Sequence, residues 1–130
     1  MHVLDTNTLI YFFKGLGSVS DNLLAKAPMD IGISSIVLYE LEVGIAKSTA
    51  PEKRSEQLDS LLKNVNILSF GLQEAKQASI VRVNLESQGQ LIGPYDILIA
   101  ASALARNATL VTRNSDEFGR IPQLKLENWY

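Results

Sequence analysis

Three carboxylates of this 130-residue sequence lie in or beside apolar segments. Asp5 directly follows the apolar start "MHVL", Glu40 lies within "SSIVLYELEVG", and Asp96 begins the apolar run "DILIAASALA". Each position also has an ordinary structural explanation, since Asp5 can cap a helix, Glu40 can face solvent and Asp96 suits the positive end of a helix dipole. If the three converge, their mutual repulsion calls for a cation between them.

A fourth polar cluster, from Arg113 to Glu117, follows the strand-like segment "ATLVT" (108–112). By itself it is better explained by an ordinary turn that leads into a capped helical turn at Phe118 than by a functional site. Its position is informative because ligands of open α/β sheets bind in the crevice outside the carboxyl ends of the strands. We therefore expect Asp5, Asp96 and this cluster to meet at one edge of a sheet.

The residue inventory restricts the chemistry of such a site. The chain has no cysteine and a single histidine, His2, which excludes thiolate and histidine-cluster zinc sites and a Ser-His-Asp triad. Ligands that offer only oxygen atoms favour hard ions such as Mg²⁺ or Mn²⁺. Because Mg²⁺ is typically held by one or two carboxylates together with phosphate oxygens, an incomplete cage at a crevice indicates phosphate chemistry.

Charge and composition predict the class of protein and its compartment. The formal net charge is −2 and there is no basic tail, which argues mildly against a typical electrostatic nucleic-acid binder unless a divalent cation neutralises the clustered acids. We see no signal peptide and no apolar run of the roughly 18 residues that cross a bilayer. We therefore expect a cytoplasmic protein that makes no use of a membrane, with residues 1–130 forming a single domain.

Hydrophobic periodicity predicts the elements that position these residues. Short apolar segments are typical of buried strands, and longer amphipathic segments bounded by Pro or Gly are typical of helices. Because the two alternate, we expect an α/β fold with a parallel sheet of four to five strands flanked by helices on both faces. The predicted strands are 1–4, 31–33, 65–68 and 108–112, and residues 124–129 account for the fifth strand in the range of four to five. The predicted helices are 6–14, 19–27, 36–46, one beginning at 51, 72–88 and 93–105.

Five short motifs, which follow one another along the chain from residue 4 to residue 129, resemble those of PIN-domain ribonucleases, and specifically of the VapC toxins of bacterial toxin–antitoxin pairs. A motif as short as "LDTN" occurs by chance, whereas a series of such blocks at this chain length is specific. The blocks are "LDTN" (4–7), "SSIVLYELEVGIAKS" (34–48), "GQLIGPYDILIAASA" (89–103), "LVTRNSDEF" (110–118) and "LENW" (126–129).

The resemblance assigns an acidic quartet to Asp5, Glu40, Asp96 and Asn114. Many PIN domains have Asp at the fourth position, and Asn retains an oxygen ligand but lacks the charge, so a second metal ion should bind more weakly here. Two residues further on, Asp116 is an alternative source of that charge through a bridging water. The supporting residues that the resemblance implies orient the carboxylates: Thr6, Asn7 and Thr112.

The implied reaction is Mg²⁺-dependent hydrolysis of RNA phosphodiesters, with Mn²⁺ as a substitute ion. Asp5 and Asp96 would hold the ion, and Glu40 would orient or deprotonate the attacking water. The substrate class that the resemblance implies is structured RNA, commonly the anticodon loop of transfer RNA. Whether one or two ions act stays open. Basic residues that are candidates for contacting RNA phosphates are Lys14, Lys47, Arg82 and Arg113.

The resemblance also implies partners. A VapB-like antitoxin would wrap the chain and block the acidic pocket, and the toxin would form a homodimer or a larger complex with its antitoxin. We expect contact surfaces at the apolar residues of the first helix that prove to be exposed and at two apolar residues of the third helix. The candidates are Leu9, Tyr11, Phe12 and Phe13 on the first helix and Ile36 and Tyr39 on the third.

Two alternatives from other functional classes remain. A receiver-type signalling domain has a similar length and sheet, but it would need an acidic pair after the first strand and an Asp at the end of the third, and "ILSFG" (67–71) has none. A phosphatase with an Asp nucleophile would need a carboxylate at position 7, which is Asn7. A PIN-like protein that has lost catalysis and acts only by binding is the third alternative. Asn114 favours it, whereas the intact Asp5, Glu40 and Asp96 argue against it.

Overall fold

The fold is built on a five-stranded parallel sheet. In the computed structural model, which describes all residues 1–130, the strand order is β3-β2-β1-β4-β5. The first strand is therefore central, and the chain runs outward from it in both directions. The strands are β1 (His2–Leu4), β2 (Ile31–Ser34), β3 (Asn66–Leu68), β4 (Thr109–Val111) and β5 (Lys125–Glu127).

Seven helices connect these strands. Right-handed crossovers that run in opposite directions from a central strand place their helices on opposite faces of the sheet. The predicted α/β fold with a flanked parallel sheet is confirmed. The helices are α1 (Thr6–Lys14), α2 (Val19–Leu24), α3 (Ser35–Ala46), α4 (Pro51–Leu62), α5 (Leu72–Ser87), α6 (Pro94–Leu104) and α7 (Ser115–Phe118).

Helix boundaries follow the residues that favour them. Pro51 and Pro94 each occupy a first helical position, and Gly15 ends α1 in the left-handed conformation. The second helix is shorter than the predicted 19–27. It ends at Leu24, and the chain then makes a single 3-10 turn over Pro28–Asp30 before entering β2.

The core lies between the sheet and its helices. The inner strands are buried except at His2 and Thr109, the first residues of β1 and β4, and α6 is buried on nearly all sides, as its apolar composition predicts. Leu9 of α1 is fully buried in this core, so of the apolar candidates on α1 only Tyr11, Phe12 and Phe13 are partly exposed and open to contact. No helix of the fold combines the length and apolar character that a membrane span requires.

The strand order determines where a ligand can bind. The chain leaves β1 toward β2 on one side, whereas β4 lies on the other side, so the order reverses between β1 and β4. The register pairs Leu4 with Val111, which brings the residues that follow them, Asp5 and Thr112, to the same level. Crevices at such a reversal are the usual ligand sites of open α/β sheets.

Candidate active site

Asp5 lies at the carboxyl end of the central strand and is buried, with 6% of its surface exposed. One carboxylate oxygen accepts a 2.8 Å hydrogen bond from the backbone N–H of Thr8, so this side chain also caps α1. Burial raises the pKa of Asp5, and the hydrogen-bonding groups of Thr112 and Thr8 oppose that rise. The capping role and a ligand role are compatible, because a carboxylate has further lone pairs to offer.

Glu40 is brought to the same edge by α3, which Ser34 at the end of β2 caps. The hydroxyl of Thr6 donates a 2.6 Å hydrogen bond to Oε1 of Glu40 and so fixes the carboxylate above the start of α1. Glu42, which lies about 200° further around the helix, is exposed. The structure therefore separates the two acids of α3 as the helical spacing predicts.

Asp96 lies in the first turn of α6 and is partly buried. Its pKa is raised to about 6 by burial first and then by the charges of Glu117, Glu40 and Asp5. A Cβ atom at Gly93 would lie 3.3 Å from Oδ2 of Asp96, so glycine leaves the space beside this carboxylate free. The charges of Asp5, Glu40 and Glu117 therefore all act on the Asp96 carboxylate.

Asn114 has a structural task in addition to its position near the acids. Its Oδ1 accepts a 3.3 Å hydrogen bond from the N–H of Glu117 and caps α7, while its own N–H donates to Oγ1 of Thr112 at 3.0 Å. Asp116 is exposed, and of the two acids in α7 it is Glu117 that acts on Asp96. The sequence analysis included Glu117 in the polar cluster but gave it no role in the site, although the spacing Asn-x-x-Glu is that of a capping box and places the Glu one turn from the cap.

A shallow depression of about 150 Å³ adjoins Asp5. Asn7 is exposed in its wall and makes no hydrogen bond to a carboxylate, so the structure does not give it the orienting contact that Thr6 makes. The residues that line the depression are Asp5, Asn7, Tyr11, Arg113 and Asn114.

The four basic residues that we expected at the substrate are distributed unevenly. Lys14 lines a cleft of about 310 Å³ together with Glu40, and Arg113 lies in the depression beside Asp5. Lys47 is exposed at the end of α3. Arg82 lies on the exposed face of α5, where it forms a 2.7 Å ion pair with Glu86.

The donor set fits a hydrated divalent cation. No three acidic side chains lie close enough together to hold a metal ion between them. That openness agrees with Mg²⁺, which retains several waters and takes only one or two carboxylates in phosphate-handling sites. The raised pKa of Asp96 supplies the electrostatic reason, since a cation placed among Asp5, Glu40 and Glu117 would relieve the repulsion that they exert on it.

Comparison with known proteins agrees with this architecture. Residues 2–124 match the family model of the PIN domain. Ribonuclease VapC2 of Rickettsia felis is 44% identical over 99% of this chain and 98% of its own length. The tRNA(fMet)-specific endonuclease VapC of Salmonella typhimurium is 35% identical over 98% and 96% of the respective chains.

Solved structures give the same result. The crystal structure of VapBC2 from Rickettsia felis, bound to a DNA fragment from the promoter, contains a chain that matches with a TM-score of 0.92 at 42% identity, covering 99% of this chain and 98% of that one. A chain of VapBC-1 from nontypeable Haemophilus influenzae matches with a TM-score of 0.87 at 31% identity, covering 98% and 97%. This chain therefore belongs to the PIN-domain family and, within it, to the group of the VapC ribonucleases.

Proposed function

We propose that this chain is a divalent-metal-dependent endoribonuclease and the toxin of a toxin–antitoxin pair. The observation that carries the proposal is the hydrogen bond from Thr6 to Glu40, which holds this carboxylate next to the end of β1, where Asp5 lies at the reversal of the strand order. Hydrolysis of a phosphodiester needs such a site, because negative charge develops on the phosphate oxygens during the displacement.

Each acid has a distinct role in this proposal. Asp5 and Asp96 would hold the ion, Mg²⁺ or Mn²⁺, directly or through water. When bound, the ion would supply electrostatic stabilisation to the reacting phosphate. Glu40 is held by Thr6 and would orient the attacking water and accept its proton.

We assign the fourth charge of the site to Glu117. Of the neighbouring charges, its carboxylate raises the pKa of Asp96 most, and its backbone N–H donates a hydrogen bond to Oδ1 of Asn114. Asn114 would then act mainly by holding α7 in place. With this charge present, the absence of Asp at position 114 no longer favours a PIN-like protein that only binds.

Transfer RNA is the substrate class that we propose. The relative from Salmonella typhimurium is named a tRNA(fMet)-specific endonuclease and spans nearly the whole of this chain. Single-stranded loops are the parts of RNA that proteins read most readily, because their bases can be splayed out and stacked on aromatic side chains. An anticodon loop meets that requirement.

A VapB-like antitoxin is the protein partner that we propose, since the matching solved structures include VapBC complexes. An apolar groove lies between α1, α2 and α4 and is lined in part by Phe12, Phe13, Leu23 and Leu61. This groove suits an apolar segment of the antitoxin. Tyr39 of α3 is about half exposed and packs edge-on against Tyr95, which makes this pair a candidate contact within a homodimer.

Cleavage of a total transfer-RNA pool by the purified protein tests the proposal. The reaction is run with Mg²⁺, with a chelator, and with the variant Asp96→Asn, whose fold is checked by circular dichroism. We expect a discrete product that requires Mg²⁺ and is absent with the variant. Wild-type cleavage by Asp96→Asn would overturn the assigned site, and no cleavage of any RNA by the folded, metal-supplied protein would overturn the proposed activity.

A further inference from the structure

Arg113 makes an unusual set of contacts at the edge of the carboxylate site. Its guanidinium carbon lies 3.6 Å from the ring centroid of Tyr130 and 5.7 Å from that of Tyr11. The two rings meet edge to face, with centroids 5.0 Å apart. Stacking of a guanidinium on an aromatic face is attractive and leaves the N–H groups in the guanidinium plane available.

Those N–H groups have no partner within the chain. Arg113 forms neither an ion pair nor a side-chain hydrogen bond, although Asp5 lines the same depression. The side chain is exposed. A guanidinium that is fixed by stacking and keeps its donors free is suited to bidentate recognition of a phosphate.

Tyr130 is itself held in place by the turn between α1 and α2. Its carbonyl oxygen accepts a 2.6 Å hydrogen bond from the N–H of Ser18, and its own N–H donates to Oδ1 of Asn128 at 2.9 Å. Gly17 in this turn has φ +61°, and a Cβ there would lie 2.6 Å from the Tyr130 oxygen and 2.8 Å from its Cγ. Glycine is therefore required both for the backbone conformation and for the close approach of Tyr130.

We propose that Tyr130 is a positioning residue that holds Arg113 as a phosphate-binding fork for the RNA backbone beside the carboxylate site. The inference rests on the proposed ribonuclease function. The guanidinium face on Tyr130 is covered, so the free in-plane donors favour a phosphate over a stacked base. Because the carboxylates repel the RNA backbone, a fixed cation at their rim would offset that repulsion during binding.

The proposal predicts a specific kinetic pattern. Tyr130→Leu and Arg113→Ala should each raise KM for RNA about tenfold, which corresponds to about 1.4 kcal/mol, while kcat stays within about twofold. The double variant should be no worse than either single variant, because both changes remove one unit. Tyr130→Phe keeps the ring and should retain the wild-type KM, and Lys53→Ala, on the exposed surface of α4, controls for loss of a positive charge.

A further variant disrupts the contact between Arg113 and Tyr130 without substituting either residue. Gly17→Ala should displace Tyr130 and raise KM as Tyr130→Leu does, so the test does not depend on one substitution folding well. Equal KM values for wild type, Tyr130→Leu and Gly17→Ala would overturn the proposal. A fall in kcat at unchanged KM would overturn it as well, since that would place Tyr130 in the chemical step or in the stability of the site.

A spectroscopic measurement separates this proposal from the proposed activity. The Nε–Hε resonance of Arg113 should be shifted upfield by the Tyr130 ring in wild type and in Tyr130→Phe, and should lose that shift in Tyr130→Leu. Addition of inorganic phosphate should change the chemical shift of this resonance in wild type and leave it unchanged in Tyr130→Leu. A chain that cleaves no RNA but shows both effects would contradict the activity alone, whereas cleavage without either effect would contradict the role of Tyr130 alone.

Discussion

The hydroxyl of Thr6 donates a 2.6 Å hydrogen bond to Oε1 of Glu40, across 34 positions of the sequence. This contact joins the start of α1, next to Asp5, to the middle of α3. Without it Glu40 would be free to rotate away from the other acids. The hydrogen bond therefore fixes the position of the Glu40 carboxylate at this edge of the sheet.

Substitution of Thr6 should reduce activity more than stability. We expect Thr6→Val to lower the cleavage rate about 10- to 100-fold, as is typical when the partner that orients an active-site carboxylate is removed. Thr6→Ser keeps the hydroxyl and serves as the matched control. Single-turnover cleavage beside a thermal melt tests this, and equal rates for the Val and Ser variants would contradict the orienting role.

The fourth charge of the site can be assigned by comparing neighbouring acids of α7. Glu117→Gln should lower the apparent affinity for Mn²⁺ and slow cleavage, because it removes the charge that acts on Asp96. Asp116→Asn, one residue away and exposed, should have the smaller effect on both. Calorimetric titration with Mn²⁺ measures the affinities, and the reverse ranking would return the role to Asp116.

Asp96→Asn should stabilise the metal-free protein in a pH-dependent manner. The pKa of Asp96 is about 6 in the folded chain against an ordinary value of 3.8, so the folded state binds this proton more tightly and loses stability as the pH rises from about 4 to about 6. The variant lacks that loss. Its Tm should match wild type near pH 4 and exceed it by a few degrees above pH 6, a modest gain because the carboxyl is partly exposed.

Saturating Mg²⁺ should cancel this advantage, because the bound ion favours the ionised carboxylate in wild type. Scanning calorimetry between pH 4 and pH 8, with and without Mg²⁺, gives the comparison. A Tm difference that does not depend on pH would show that charge repulsion is not its cause.

Asn114→Asp should strengthen metal binding without loss of the helix cap. An Asp side chain can accept the same hydrogen bond from the N–H of Glu117, and its charge is favoured at the start of α7. We expect tighter binding of Mn²⁺, about tenfold, with evidence of a second ion in the titration. An unchanged titration curve would show that the residue at position 114 does not limit the binding of a second ion.

Much of this site could be predicted because strand order and helix spacing are regular. Asp5 and Thr112 meet because parallel strands in register end at the same level, and both strands are readable as apolar segments. Glu40 and Glu42 are separated by the helical period. Pro94 marks the start of α6 and so places Asp96 in its first turn.

Other features depend on contacts that no local pattern specifies. Asp116 and Glu117 lie about 100° apart around one short helix. The sequence does not show which of the two lies on the side of the helix that approaches Asp96. Which apolar residues of α1 reach the surface stayed open in the sequence, because Leu9, Tyr11, Phe12 and Phe13 are all apolar. The structure buries Leu9 and leaves the other three partly exposed. The stack of Arg113 on Tyr130 joins residues of different elements, and only the packed chain reveals it.

The measurement that tests the central claim most directly is the Mg²⁺-dependent cleavage rate of Glu40→Gln beside that of Glu42→Gln. Both variants remove one negative charge from α3, but only Glu40 is held by Thr6 near Asp5 and Asp96. The account predicts that Glu40→Gln loses cleavage at least about 100-fold while Glu42→Gln cuts RNA at the wild-type rate. Wild-type cleavage by Glu40→Gln, or equal losses in both variants, would contradict it.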